Sequence, residues 1–347
     1  MTKITAPIQV VVAAFDGALA SAITGIVDLL SMAGVSWHRI QQQPIQRLFE
    51  VKIASSQGQP IRCVHGLCLE AQMSYAQIHR PDILIVPTIG GPIGQTLAQH
   101  PELCGLLQRA AQQHWIIAGN CTGSFFLAEA GILDGRLATT HWGFQDAFRQ
   151  RYPQVKLHAE QMMSRDGDIY CAGGGGAWFD LGLHFVERFY GGETAVHTAR
   201  AFVIDYRRDS QLSYAALRVA TPHQDLLIQQ IQDWLALNFH QLCSLEELAT
   251  RFNLTVRTLI RRFKAALGMP PNRYLQIIRI EAAQKRLQET AYPVDEIMQQ
   301  VGYHDPSSFR RLFRQHTGLT PLEYRQRFSH AWSFGHAAGN TALSSQG

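Results

Sequence analysis

Two groups of residues have the types and spacing to do chemistry. The first is Gly119-Asn-Cys121-Thr-Gly123, a G-x-C-x-G run between an apolar segment and a helical one. It is the cysteine form of a nucleophile elbow, in which small residues let a tight turn present its thiol at a helix N-terminus. The helix dipole there favours a thiolate, which is a nucleophile or an oxidation-sensitive group. The same small residues equally suit a sharp turn with no chemistry. The second group is Arg257, Arg261 and Arg262, with Arg310, Arg311 and Arg314 about fifty positions later. Arginine reads guanine bidentately, and hydroxyls such as those of Thr258, Ser307 and Ser308 contact bases or phosphates. On a helix, positions 257, 258 and 261 share a face, as do 307, 310, 311 and 314. A solvated basic face would explain any one of these arginines, so the duplication has to decide.

The duplication extends well beyond the arginines. Residues 259–274 align with 309–324 at an offset of 50, matching Phe263 with Phe313, Gly268 with Gly318, Pro271 with Pro321 and Tyr274 with Tyr324. Each Phe anchors an apolar stripe, each Gly supplies a left-handed helix cap, each Pro opens the next segment and each Tyr packs it back. With one residue of slippage, Leu245-Glu-Glu-Leu248 matches Val294-Asp-Glu-Ile297. Ser244 and Thr255 are expected N-caps in the first copy. In the second, a helix over 294–300 and a turn over 301–303 precede Asp305 as cap, with Pro306 in the first turn. Each copy is then a helix-turn-helix, at about 245–266 and 294–316. The spacer 271–289 has a helical part of ~27 Å, suited to holding two reading helices about one DNA turn, ~34 Å, apart.

The elements that must position these groups fall into two expected domains. A length of 347 residues exceeds one ordinary domain, and a hydrophobic share of 46% supports real cores. The net charge of +4 is uneven: residues 224–330 hold 14 Lys and Arg against 10 Asp and Glu, while the remainder holds 17 of each. A basic surplus confined to one domain suits a polyanion partner. Before it, strand-like runs at 9–15, 49–54, 82–87 and 114–119 alternate with helical runs at 22–32, 97–113 and 124–130, and helices follow at 177–189 and 193–204. That alternation predicts a parallel sheet flanked by helices, an α/β domain over 8–190 with a helical extension to about 205, and sites beyond the C-terminal strand ends. Residues 206–224 are expected as a linker, 225–328 as an all-α domain and 331–347 as a disordered tail. No stretch approaches the ~18 apolar residues of a membrane helix, and the short run at 8–15 is not a signal peptide, so no membrane is involved and a cytoplasmic location is expected. Cys63, Cys68, Cys104, Cys121, Cys171 and Cys243 lack C-x-x-C pairing and zinc spacing, and are expected as free thiols with no metal or cofactor. Gly173-Gly-Gly-Gly176 lacks the Lys-Ser/Thr of a P-loop and reads as a flexible turn.

Residues 228–327 resemble the AraC/XylS DNA-binding domain, most fully through the run from Val294 to Pro321, with Met298 where that family more often has a small residue. The resemblance implies Arg257, Thr258, Arg261, Ser307, Ser308 and Arg311 as base-contact candidates, and Arg262, Lys264, Arg310 and Arg314 as candidates for phosphate contacts or packing. Residues 8–190 resemble the ThiJ/PfpI branch of the class I glutamine amidotransferase-like, flavodoxin-like fold, through Asp82-Ile-Leu-Ile-Val-Pro87, the stretch 119–142 and the stretch 173–189. The pairing of the two is that of GlxA-type transcriptional regulators. Active hydrolases of that superfamily place His after the cysteine and Glu in the first strand–helix turn. Here Thr122 follows Cys121, and 17–25 contains no acid, with Asp16 before it and Asp28 beyond. The resemblance therefore implies a catalytically degenerate domain sensing an unknown small molecule, with a pocket lined by Thr88, Gly90, Gly91, Cys121, Thr122 and His141. Double-stranded DNA, read in two adjacent major-groove turns by a homodimer, is the implied partner. A redox regulator acting through Cys121 and a cysteine hydrolase with an appended domain are the alternatives.

Overall fold

A computed structural model describes residues 6–206, 208, 210–215, 223–241 and 244–329. The expected tail over 331–347, Cys243 and the middle of the expected linker lie outside these residues. The chain divides into two compact units, Met1–Leu212 and Ser213–Gly347.

The first unit runs β1 (Ile8–Ala13), α1 (Ala20–Met32), α2 (Ser36–Ile40), β2 (Phe49–Ser55), β3 (Ile61–Arg62), β4 (Cys68–Leu69), β5 (Met73–Ser74), β6 (Ile83–Val86), α3 (Ile93–Gln99), α4 (Pro101–Gln112), β7 (Ile116–Asn120), α5 (Ser124–Glu129), β8 (Leu137–Ala138), α6 (Gln145–Arg151), β9 (Lys156–Leu157), β10 (Met163–Asp166), β11 (Ile169–Ala172), α7 (Trp178–Tyr190) and α8 (Gly192–Phe202). Seven strands form one sheet in the order β10-β11-β7-β6-β1-β2-β5, parallel except for the edge pair β10–β11. The inner strands are Val- and Ile-rich because helices cover both faces of such a sheet; all four residues of β6 are buried. From β1 the chain steps out to β2 and β5 on one side, then to β6 and β7 on the other. The crevice between β1 and β6 is thus the topological switch point, where ligands of open α/β sheets usually sit. Helix α1 packs against α7. They approach closely at Gly25, where a Cβ would lie 2.3 Å from the Trp178 ring.

Two expectations need correction. The helical run over 97–113 is broken at His100 (φ −128°, ψ 53°) into α3 and α4. Pro101 has no N–H to continue the ladder and drives the preceding residue out of the helical region. The linker expected to start at 206 is held to the first unit through Leu212: Arg208 pairs with Asp180, and Gln211 is buried.

The second unit is all helix among its described residues: α9 (Leu226–Asn238), α10 (Leu245–Arg251), α11 (Val256–Leu267), α12 (Pro271–Glu289), α13 (Val294–Gln300), α14 (Pro306–Thr317) and α15 (Pro321–Phe328). It contains two small cores. Ile228, Ile231, Leu235, Leu248, Leu259, Phe263 and Tyr274 form one, and Ile280, Leu287, Ile297, Phe309, Phe313 and Tyr324 form the other. The 19-residue α12 contributes Tyr274 to the first core and Ile280 to the second, so one continuous rod of ~28 Å joins them.

Candidate functional site

In the first unit, β7 ends at Asn120 and Cys121 turns the chain at φ +55°, a left-handed conformation unusual for a non-glycine residue. The turn is over-determined. The Ser124 and Thr140 hydroxyls donate to the Cys121 carbonyl at 2.8 and 3.1 Å. Gly123 lies so close to the Val86 and Pro87 carbonyls that a Cβ would sit 2.6 Å from each oxygen. The elbow geometry read from G-x-C-x-G is therefore present, but burial works against its expected thiolate. Cys121 is 2% exposed, and burial pushes its thiol up to about 11, although the Thr122 N–H and the Thr88 and Thr122 hydroxyls oppose that rise. Desolvation of a charge outweighs those hydrogen bonds.

Asp16 and His141, the acid and the histidine that the sequence offers beside the cysteine motif, each hold another hydrogen bond. The Asp16 carboxylate accepts the Arg62 N–H at 2.8 Å. His141 caps a 3-10 turn, its Nδ1 accepting the Gly143 N–H at 2.9 Å, and burial lowers its pKa. Thr122 donates to the Ile89 carbonyl at 3.0 Å, and Thr88 accepts from the Asn120 side-chain amide at 2.9 Å. At the switch point the two loops are zipped together: the Leu19 N–H donates to the Thr88 carbonyl and the Gly90 N–H to the Gly17 carbonyl, both at 2.9 Å, while Ala18 bridges Ile89. Gly91 follows directly. A cavity of about 280 Å³ opens instead beyond the ends of β1 and β2, lined by Phe15, Asp16, Ser55, Tyr75, His100 and Glu102 among others. None of Gly90, Gly91, Cys121, Thr122 and His141 lines it. Strand ends marked by Asp16 and Ser55-Ser56 were a legible signal for this cavity that the cysteine motif obscured.

In the second unit both helix-turn-helix copies form as the repeat predicts. Ser244 and Glu247 make a reciprocal capping box, Thr255 accepts the Thr258 N–H at 3.2 Å, and Asp305 accepts the Ser308 N–H at 2.7 Å. Gly268 and Gly318 adopt φ of +69° and +74° to end α11 and α14. Each turn holds one left-handed residue, Asn253 and Gly302. Tyr274 packs edge-on to Phe263 at 5.7 Å, as Tyr324 does to Phe313 at 5.5 Å.

The arginines separate by environment. Arg257, Arg261, Arg311 and Arg314 are exposed, as are Ser307 and Lys264. Thr258 and Ser308 are half-buried at the helix starts. Arg310 is exposed and 3.8 Å from Asp295. Arg262 differs: its guanidinium forks onto Asp225, with Nε 2.9 Å from one carboxylate oxygen. The pair lowers the Asp225 carboxyl below its ordinary value. Asp225 also caps α9, accepting the Leu227 and Ile228 N–H groups at 3.1 Å. Of the two roles open to Arg262, phosphate contact or packing, the structure supplies a packing partner, one that spacing within the repeat could not reveal. Among the described residues no cluster of three or more His, Cys, Asp or Glu could hold a metal, five cysteines are free, and no helix is long and apolar enough to cross a membrane.

Comparison with known proteins agrees with this division. The sequence matches the DJ-1/PfpI family over residues 10–188 and a helix-turn-helix domain over 248–327. It is 30% identical over 281 residues to the HTH-type transcriptional regulator CdhR of Pseudomonas aeruginosa, covering 80% of this chain and 82% of that one. It is 28% identical over 240 residues to the regulator GbdR of the same species, covering 68% of this chain and 64% of that one. Among solved structures, an AraC family transcriptional regulator from Pseudomonas putida aligns at 24% identity and TM-score 0.47, over 56% of this chain and all of that one. Drosophila melanogaster DJ-1beta aligns at 19% identity and TM-score 0.48, over 58% of this chain and all of that one. The two matched segments coincide with the elbow-bearing sheet and the paired helix-turn-helix helices, and the chain belongs to the family of HTH-type, AraC-type transcriptional regulators that carry a DJ-1/PfpI domain.

Proposed function

We propose that this DNA-binding regulator acts in the cytoplasm as a homodimer, in which residues 8–190 with their extension to about 205 sense a small molecule and residues 225–328 read DNA. Helices α11 and α14 enter the major groove in two adjacent turns of one DNA face. The observation that carries this reading is the duplicated surface. Each helix buries one stripe, Leu259, Phe263 and Leu267 or Phe309, Phe313 and Thr317, and leaves arginines exposed elsewhere. Arg257, Thr258, Arg261, Ser307, Ser308 and Arg311 contact bases; Arg310 and Arg314 contact phosphates; Arg262 positions α11 through Asp225. The first unit does not catalyse. A protonated buried thiol, with Asp16 and His141 hydrogen-bonded elsewhere, supports this and weighs equally against a redox role for Cys121. The sensed molecule enters at the carboxyl ends of β1 and β2, where the cavity beside Asp16 and His100 lies.

The test is competition binding of the full chain to its own upstream DNA at two salt concentrations. Arg261→Ala and Arg311→Ala are each expected to cost ~1–3 kcal/mol, with relaxed base preference and a shallower salt dependence. Wild-type binding no better than to random DNA would refute the reading, as would variants that bind like wild type.

A further inference from the structure

At the chain's exit from the first unit, Gln211 turns inward. The residue is 1% exposed although it sits next to the unit's last residue. Its amide nitrogen lies 2.9 Å from the Thr140 carbonyl and 3.0 Å from each of the Ala159 and Gln161 carbonyls, with the Thr139 hydroxyl at 3.4 Å. Its amide oxygen accepts the Gly174 N–H at 2.8 Å and faces the Trp142 N–H at 3.4 Å. Carbonyls surround one end and N–H groups the other, a pattern that suits a primary amide, whose two N–H hydrogens are shared among those carbonyls, and repels a carboxylate. The backbone is shaped to admit it, since a Cβ on Gly173 would lie 2.0 Å from the Gln211 nitrogen. The glycine run at 173–176 thus receives a side chain rather than a phosphate. Thr140 forms one wall, and its hydroxyl donates to the Cys121 carbonyl at 3.1 Å, so the socket abuts the elbow.

We propose that this socket is a primary-amide binding site, held in the resting chain by Gln211 as an internal ligand, and that a small primary amide competing for it loosens the chain where it leaves the first unit. The covalent path towards α9 starts at Leu212 while Gln211 is seated. When the Gln211 side chain leaves, the ties left beside it are the Gln211 N–H and the Ser210 hydroxyl, which donate to the Glu160 carbonyl at 2.9 and 3.0 Å, and beyond them the Arg208–Asp180 pair. The link to sensing rests on the function proposed above and makes the socket a second ligand site, apart from the cavity beside Asp16, but the socket itself does not rest on that function.

Chemical rescue tests the socket in the full chain. Gln211→Ala removes a side-chain end that acetamide replaces atom for atom. The variant should melt several degrees below wild type and recover with added acetamide, but not with acetate or N,N-dimethylacetamide. Recovery with all three additives, or with none, would reduce Gln211 to packing and overturn the site. If Gln211→Ala does not fold, Gly173→Ala in the otherwise wild-type chain evicts the same side chain, and limited proteolysis should then cut within 206–215, where wild type is protected until acetamide is added. Unchanged protection in Gly173→Ala overturns the latch. Specific rescue with unaltered DNA affinity would leave the amide site standing and count against the sensor reading alone.

Discussion

The state of Cys121 yields a prediction whose size follows from the structure. Burial raises its thiol from the ordinary 9.0 to about 11. Each unit is a tenfold change, ~1.4 kcal/mol, so the thiolate population at neutral pH lies about a hundredfold below that of an ordinary cysteine. Alkylation proceeds through the thiolate. Iodoacetamide at pH 7.5 should therefore modify Cys121 at least ~100-fold more slowly than Cys68, which is exposed, with burial of the sulfur slowing it further. A time course on the full chain, read by peptide mass spectrometry, measures both rates, and the two should converge in urea. A Cys121 rate within about tenfold of the Cys68 rate in the folded chain would refute the argument and return hydrolase and redox chemistry to consideration. The same shift sets a pH dependence. The folded state keeps this proton above the unfolded value, so the stability contribution is whole below pH 9.0 and lost as pH rises towards about 11, by up to roughly 3 kcal/mol. Cys121→Ser should flatten that part of the alkaline decline.

Two further outcomes are expected. Asp225→Ala removes the α9 cap and the Arg262 partner together, and should cost about 1–2 kcal/mol in denaturant unfolding, mostly from the cap because the ion pair is partly solvated. Asp225→Asn keeps capping ability and should recover most of that loss. Phe263→Ala and Phe313→Ala, each emptying a fully buried position of a small core, should each cost ~3–5 kcal/mol and abolish DNA binding at temperatures where the first unit still melts cooperatively. Loss of one core without effect on binding would contradict a requirement for both helix-turn-helix copies.

Much of the second unit was legible because its signals are local. Caps, left-handed glycines and N1 prolines are set by residues three or four positions apart, and both copies carry them in matching order. Ser244, Thr255, Asp305, Gly268 and Gly318 therefore occupy the roles their types imply. The break at His100 was equally local, written in Pro101, but the apolar period across it masked the signal.

By itself, then, the sequence determined the alternation that yields a parallel sheet, the duplicated helix-turn-helix and the elbow at Cys121, since periodicity and turn chemistry act over a few residues. Only the tertiary structure decided what those groups can do. Whether Cys121 is ionised depends on desolvation by residues distant in the chain. Whether Arg262 faces solvent depends on Asp225, 37 positions earlier. Whether residues near 211 are linker or latch depends on carbonyls 50 to 71 positions away. Burial and long-range hydrogen bonding have no sequence period, and so they leave no pattern to read.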